Sequence, residues 1–363
     1  MSNKKFIVLV CIVFICIAGI IGVLNFIVDP GYVYSKKYSQ NNVDEYAEKL
    51  FLSKDGLIAD GWNERIVKSS LAKYSGNFDC IVLGSSHIMQ ISHIRQVGDI
   101  QKICPTLLNL GVSGGGIEDL TVFTSIILNN KHKPKKIFIG IDPWTFKFGM
   151  DERYKINQQY FDQLNSSIVG NKKDWSKIDY ELLLIKNLFN LQYFAKSLLE
   201  IKQSSLVTAP LAIQLPNTTF SYDDGYTEPV TLPDGSHVYA SEWTQKQKIT
   251  PIPIGSGDYK INGRAYMPDA VAYFKEIVKL YHKHNIEVNF LITPYHHNVF
   301  KVQSKAVEHI ALVENLIYEL SKELSCPLFG SFYPNKMNCM ENEFYDFMHP
   351  TTACLDKIRF ERL

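Results

Sequence analysis

The stretch Asp79-Cys80-Ile81-Val82-Leu83-Gly84-Ser85-Ser86-His87 decides the architecture and points to the chemistry. Four consecutive apolar residues stop at a glycine and two hydroxyls. A run this short, without polar alternation, suits a strand covered on both faces. Four further runs resemble it: Thr106–Gly111, Lys136–Asp142, Glu287–Thr293 and Pro327–Phe332. Ala270–His284 and Val302–Leu324 carry apolar residues at i, i+3, i+4 and i+7, the spacing of amphipathic helices. Strands alternating with helices predict an α/β fold around a mostly parallel sheet.

The third and fourth runs lie about 145 residues apart, too far for one crossover. The body is therefore expected at 76–149 and 266–363, with an insertion at 150–265. Within the insertion, Tyr180–Lys202 reads as helix, and Val230–Tyr239 reads as a β-hairpin with an Asp234-Gly235 turn. Residues 30–75 form a lead-in, in which Asn63–Tyr74 has helical spacing.

Residues 1–29 differ from the rest. Phe6–Val28 holds no charge and one strongly polar side chain, Asn25. At about 1.5 Å per residue it would span roughly 34 Å, against a bilayer core of about 30 Å. Its apolar core exceeds that of a cleaved signal peptide, and no A-x-A-like site follows. Lys4 and Lys5 precede it, so the expected topology is a single-pass anchor in the cytoplasmic membrane, N-terminus inside and body extracytoplasmic. Over the full chain the composition is ordinary: 46% apolar, 21% charged, net charge +1. That balance excludes disorder and gives no field that calls for nucleic acid.

Of seven cysteines, Cys11 and Cys16 fall in the apolar helix. Cys80 reads as a core residue, and a Cys326–Cys339 bridge is conceivable. No C-x-x-C or H-E-x-x-H occurs, so no metal site is expected, and no cofactor is called for. Gly114-Gly115-Gly116 lacks the P-loop G-K-[ST] and Rossmann spacing, which argues against a nucleotide.

Ligands of open parallel sheets bind at the carboxyl ends of the strands. There the chain places Ser85-Ser86-His87, Ser113-Gly114, Asp142-Pro143-Trp144 and Tyr295-His296-His297, and near the C-terminus Asp346-Phe347-Met348-His349. These are the parts of a serine nucleophile site. His349 would take the serine proton, Asp346 would fix its tautomer, and Gly114 would let a backbone N–H approach an oxyanion. Ser85 and Ser86 would also serve as N-caps. His87 is expected to point away from the site. Trp144, Tyr295 and His296 are candidate substrate contacts. Adjacent His296 and His297 would face opposite sides of a strand, which disfavours a metal pair.

The blocks Gly84-Ser85-Ser86, Asn109-x-Gly111-Val112-Ser113-Gly114 and Asp346-x-x-His349 resemble, in order, three blocks of the SGNH (GDSL-type) hydrolases. With the apolar helix, the chain is most similar to a membrane-anchored branch that includes the alginate O-acetylation proteins and the D-alanyl-lipoteichoic-acid transfer protein. The resemblance covers about 75–145 and 285–363. It implies a three-layer, flavodoxin-like sheet of order 2-1-3-4-5, Ser86 as nucleophile with Ser85 as fallback, and oxyanion donors from the Ser86 and Gly114 backbone N–H groups. It also implies ester hydrolysis or O-acyl transfer on a cell-envelope polysaccharide, without cofactor. A transferase would need an acyl donor on the outer face, hence a multi-spanning membrane acyltransferase as partner. One block departs: where the family has a donor asparagine, Asp142 or Trp144 stands, depending on alignment. An ionised Asp142 cannot donate, whereas the Trp144 indole N–H can. This departure keeps open a non-catalytic glycan-binding or assembly protein. A scaffold that docks a membrane acyltransferase is the other alternative.

Overall fold

The computed structural model describes residues 3–28, 40–58, 63–170, 185, 188–191, 193–195, 197–198, 213–214, 229–255 and 265–360. They belong to two compact units: 1–42 with 171–210, and 43–170 with 211–363. The insertion expected at 150–265 is thus divided between them. Of the expected helix Tyr180–Lys202, only part lies within the described residues.

The larger unit is built on five parallel strands, here β1 (Cys80–Leu83), β2 (Leu107–Asn109), β3 (Lys136–Gly140), β4 (Glu287–Ile292) and β5 (Leu328–Gly330). Their spatial order is β2-β1-β3-β4-β5, with Cys80 beside Leu107 and Lys136, Lys136 beside Glu287, and Phe290 beside Leu328. Each expected apolar run contains one of these strands.

Alternation along the strands explains why the runs are apolar throughout. Ile81 and Leu83 of β1 join one core cluster, while Cys80 and Val82 join another on the opposite face. The first face is covered by four helices: Glu64–Ala72, Ile117–Asn129, Pro268–Lys283 and Lys305–Glu323. The second face is covered by short turns between Ser86 and Cys104 and by the C-terminal stretch through Leu355, Ile358 and Phe360. The layers are therefore helices, sheet, and a thin irregular cover.

Residues 43–75 are part of this unit rather than a detached lead-in. The helix Glu64–Ala72 is capped by the Asn63 side chain and buries Val67 and Leu71 in the main core. Leu57–Ile58 is the second strand of a small antiparallel sheet, between Ile213–Gln214 and Val230–Thr231. The hairpin is present, pairing Val230–Thr231 with His237–Val238. Its Asp234-Gly235 tip docks on the end of β2, where the Asn109 N–H donates to the Asp234 carbonyl at 2.7 Å. Gly235 is required twice over. Its φ is +74°, and a Cβ there would stand 2.4 Å from the Asn109 carbonyl oxygen. The Lys68 ammonium donates to the Asn109 and Gly235 carbonyls, and burial pushes its pKa down to about 8.

Two disulfides occur, Cys80–Cys104 and Cys339–Cys354, and Cys326 is a buried free thiol. Cys80 is a core residue as expected, and it is also bridged to the turn that covers its face of the sheet. The Cys326–Cys339 expectation is corrected: the partner of Cys339 is Cys354, in the helix Thr352–Leu355. Sequence spacing alone carries no pairing information.

The smaller unit contains the one described helix long and apolar enough to cross a membrane, Lys4–Val28 within the helix Asn3–Val28.

Candidate active site

The site sits at the carboxyl end of β1. The strand ends at Leu83, and the chain turns through Gly84 into a short 3-10 turn, Ser86–Ile88. Ser85 and Ser86 part company there. The Ser85 hydroxyl is fully buried and caps the turn by accepting from the His87 N–H at 3.2 Å. The Ser86 hydroxyl is only half-buried and stands 2.9 Å from His349 Nε2. Of the two candidate nucleophiles, geometry therefore favours Ser86.

His349 completes a hydrogen-bonded chain. Its Nδ1 lies 2.8 Å from Asp346 Oδ2, and Asp346 Oδ1 accepts from the backbone N–H groups of Met348 and His349, each at 2.8 Å. Burial disfavours the charged Asp346 carboxyl. The hydrogen bond and charge of His349, with the two backbone donors, outweigh it and hold the pKa below the ordinary value. With Nδ1–H fixed toward Asp346, Nε2 presents a lone pair to Ser86 Oγ.

The second block forms the turn after β2. Gly114 has φ +63°, and neither its N–H nor that of Ser86 takes part in the backbone hydrogen bonds of the surrounding turns. A Cβ at Gly114 would stand 2.9 Å from an Arg153 nitrogen and 3.0 Å from Asp151. The turn is held by residues that the sequence did not single out. Glu64 accepts from the Ser113 N–H at 2.8 Å. Arg65 and Arg153 both donate to the Ser113 carbonyl, at 3.1 and 2.6 Å. Arg65 also forms a two-pronged pair with buried Asp119, at 2.7 and 2.8 Å. Burial raises the Asp119 pKa even though Arg65 opposes the shift.

Neighbouring Glu118 is buried, accepts from the Gly149 N–H at 2.6 Å, and is pushed up to about 7 by desolvation. A native carboxyl that binds its proton more tightly than the unfolded chain stabilises the fold at low pH. That contribution fades as pH rises from about 4.5 to 7. The shift corresponds to on the order of 3 kcal/mol. Glu118→Gln should flatten the pH dependence and raise the thermal midpoint at pH 8 more than at pH 5, as calorimetry on the detergent-solubilised chain would read.

The third block supplies no oxyanion donor. The Trp144 indole N–H donates to the Gly115 carbonyl at 3.1 Å, and Asp142 Oδ1 faces His87 Nδ1 at 2.6 Å. The expectation that either completes the oxyanion hole is corrected on these contacts. The expected outward direction of His87 is corrected too. Its ring lies among Trp144, Tyr295 and His349, at centroid distances of 5.4, 5.3 and 5.2 Å. The approach to Asp142 is close but lacks hydrogen-bond alignment, so it is a contact rather than a directed bond.

The expected substrate contacts lie beneath the surface. Trp144 is 8% exposed and Tyr295 0%, so neither offers a ring face to a sugar. His296 is buried, accepts from the Asn298 N–H at 3.0 Å through Nδ1, and meets the Glu341 carbonyl through Nε2 at 3.1 Å. Among the described residues no cluster of three or more metal-ligating side chains occurs.

A different aromatic group meets His349 from above. Tyr239 follows the hairpin, and Trp243 lies one turn further on, in the helix Ser241–Ile249. Their rings stack at 4.6 Å with 36° between planes, and Trp243 meets Tyr345 at 5.3 Å. Both Tyr239 and Trp243 reach the His349 ring, at 6.3 and 6.4 Å. Beside them is a cavity of about 300 Å³, lined in part by Gln90, Arg95, Tyr239, Lys248 and Tyr345.

No family model matches this chain, and no curated protein matches it.

Proposed function

We propose that this protein is a membrane-anchored, SGNH-like serine esterase or O-acyltransferase, acting outside the cytoplasm on a cell-envelope polysaccharide. The observation that carries the reading is the Ser86–His349–Asp346 chain, 2.9 and 2.8 Å per link, at the carboxyl end of β1. Ser86 Oγ attacks the ester carbonyl while His349 Nε2 takes its proton. The oxyanion accepts from the Ser86 and Gly114 N–H groups. Collapse breaks the ester bond, and His349 returns the proton to the leaving alcohol, which leaves an acyl-Ser86. Water or a glycan hydroxyl then attacks, gives its proton to His349, and the collapse restores Ser86. Hydrolysis and transfer differ only in that second nucleophile. For transfer, the acyl donor would come from a multi-spanning membrane acyltransferase.

Two further features support the setting. The stacked Tyr239 and Trp243 rings beside His349 suit the apolar face of a sugar. The two disulfides suit an oxidising compartment.

A fluorophosphonate probe on the full chain in detergent, read by intact mass, tests the reading. A single adduct is expected in wild type and in Ser85→Ala, and none in Ser86→Ala or His349→Ala. No adduct on folded wild type would overturn the mechanism. It would favour the glycan-binding alternative, for which the missing third-block donor and the aromatic face speak.

A further inference from the structure

The helix Asn3–Val28 exposes apolar side chains along its length, Phe14 at 72% and Ile27 at 69% among them, while Asn25, the one strongly polar residue of its apolar stretch Phe6–Val28, is fully buried. The Asn25 carboxamide donates to the Leu188 carbonyl at 2.9 Å and the Asn190 carbonyl at 3.3 Å, and its oxygen accepts from the Ser197 hydroxyl at 3.1 Å. One turn below, a Cβ at Gly22 would stand 3.4 Å from the Phe189 ring. Leu188, Phe189, Asn190 and Ser197 thus lie against the helix at the level of Gly22 and Asn25. At about 1.5 Å per residue, that level lies roughly 4 to 9 Å short of the Val28 end. Around these contacts Ile185, Phe189, Leu191 and Leu198 are 47–67% exposed.

We propose that the described residues Ile185, Leu188–Leu191, Tyr193–Ala195, Ser197 and Leu198 belong to a second lipid-contacting element, embedded in the leaflet from which the Val28 end emerges. The proposal rests on reading the N-terminal helix as a membrane span. Depth follows from the contacts: a segment tied to Gly22 and Asn25 sits within the apolar zone that those residues occupy. Continuity names the occupant, since the exposed rings and aliphatics extend the helix's own lipid-facing surface. The hydrogen bonds agree. A carboxamide in hydrocarbon has no water to bond, so it needs internal partners, and here it finds two carbonyls and a hydroxyl.

Site-directed spin labelling of the full chain in phosphatidylcholine/phosphatidylglycerol vesicles tests this. Cys11 and Cys16 are replaced by alanine, and buried Cys326 stays. Single labels go to Phe189→Cys and Leu191→Cys, to Gly19→Cys on an open face of the helix, and to Ile249→Cys, 82% exposed on the other unit. Collision rates with oxygen and with nickel-EDDA are then compared. The expected result is an oxygen-to-nickel ratio at positions 189 and 191 at least threefold that at 249, approaching the ratio at 19. Nickel access at 189 and 191 equal to that at 249 would overturn the proposal. Exclusion of both reagents would overturn it in favour of a protein partner. If position 19 itself behaves like 249, the span reading fails first and takes the proposal with it.

Discussion

Asp346→Asn is expected to lower kcat for a small aryl acetate by about four orders of magnitude while leaving the fold intact, with acetate release as the measurement. The reason lies in which oxygen does what. Asp346 Oδ1 accepts two backbone N–H groups, so the asparagine carbonyl oxygen takes that place. The amide nitrogen then faces His349 Nδ1 and donates to it. The imidazole switches tautomer and turns Nε2–H toward Ser86 Oγ, where a lone pair is needed. The base is lost although every heavy atom keeps its place. Four decades correspond to about 5.5 kcal/mol of barrier. A loss below tenfold would mean that Asp346 only caps the Met348–His349 turn, and the catalytic chain would have to be abandoned.

How much of this was legible in sequence depended on how local each signal is. The five strands were legible because each is a bounded apolar run whose burial on both faces leaves no other pattern. The meeting of Ser86, His349 and Asp346 was legible because strand ends and short blocks fix them locally. His87 was misjudged because its direction is set by the 3-10 turn Ser86–Ile88, which turns it toward Trp144, Tyr295 and His349. Trp144 and Tyr295 were misjudged because an aromatic at a strand end reads the same whether it lines a cleft or packs below it. Glu64, Arg65 and Arg153 were invisible for a different reason. They reach Ser113 from 49, 48 and 40 residues away, and only tertiary contact assigns them.

Arg65 carries the second large expectation. Arg65→Met should destabilise the larger unit by about 3–5 kcal/mol at pH 7.5, because it strands the Asp119 carboxylate without its buried partner. Denaturant unfolding of the detergent-solubilised chain would measure the loss. The pH dependence of that loss identifies the cause. Asp119 already has a raised native pKa, and without Arg65 it should rise further. A carboxyl whose folded pKa lies above its unfolded value binds more protons when folded, so the penalty shrinks as pH falls toward 5. A deficit independent of pH would point instead to lost packing by the arginine stem. Arg65→Met with Asp119→Leu should recover most of the stability, since an apolar pair replaces the ionic one. It should not recover activity. The Ser113 carbonyl would keep only the exposed Arg153 as a charged donor, the Gly114 N–H would lose its fixed aim, and a misplacement of about 1 Å near the reacting carbonyl costs on the order of 100-fold. Stability restored with acyl transfer still depressed would separate the two roles of Arg65, as partner to a buried charge and as the brace of the oxyanion turn.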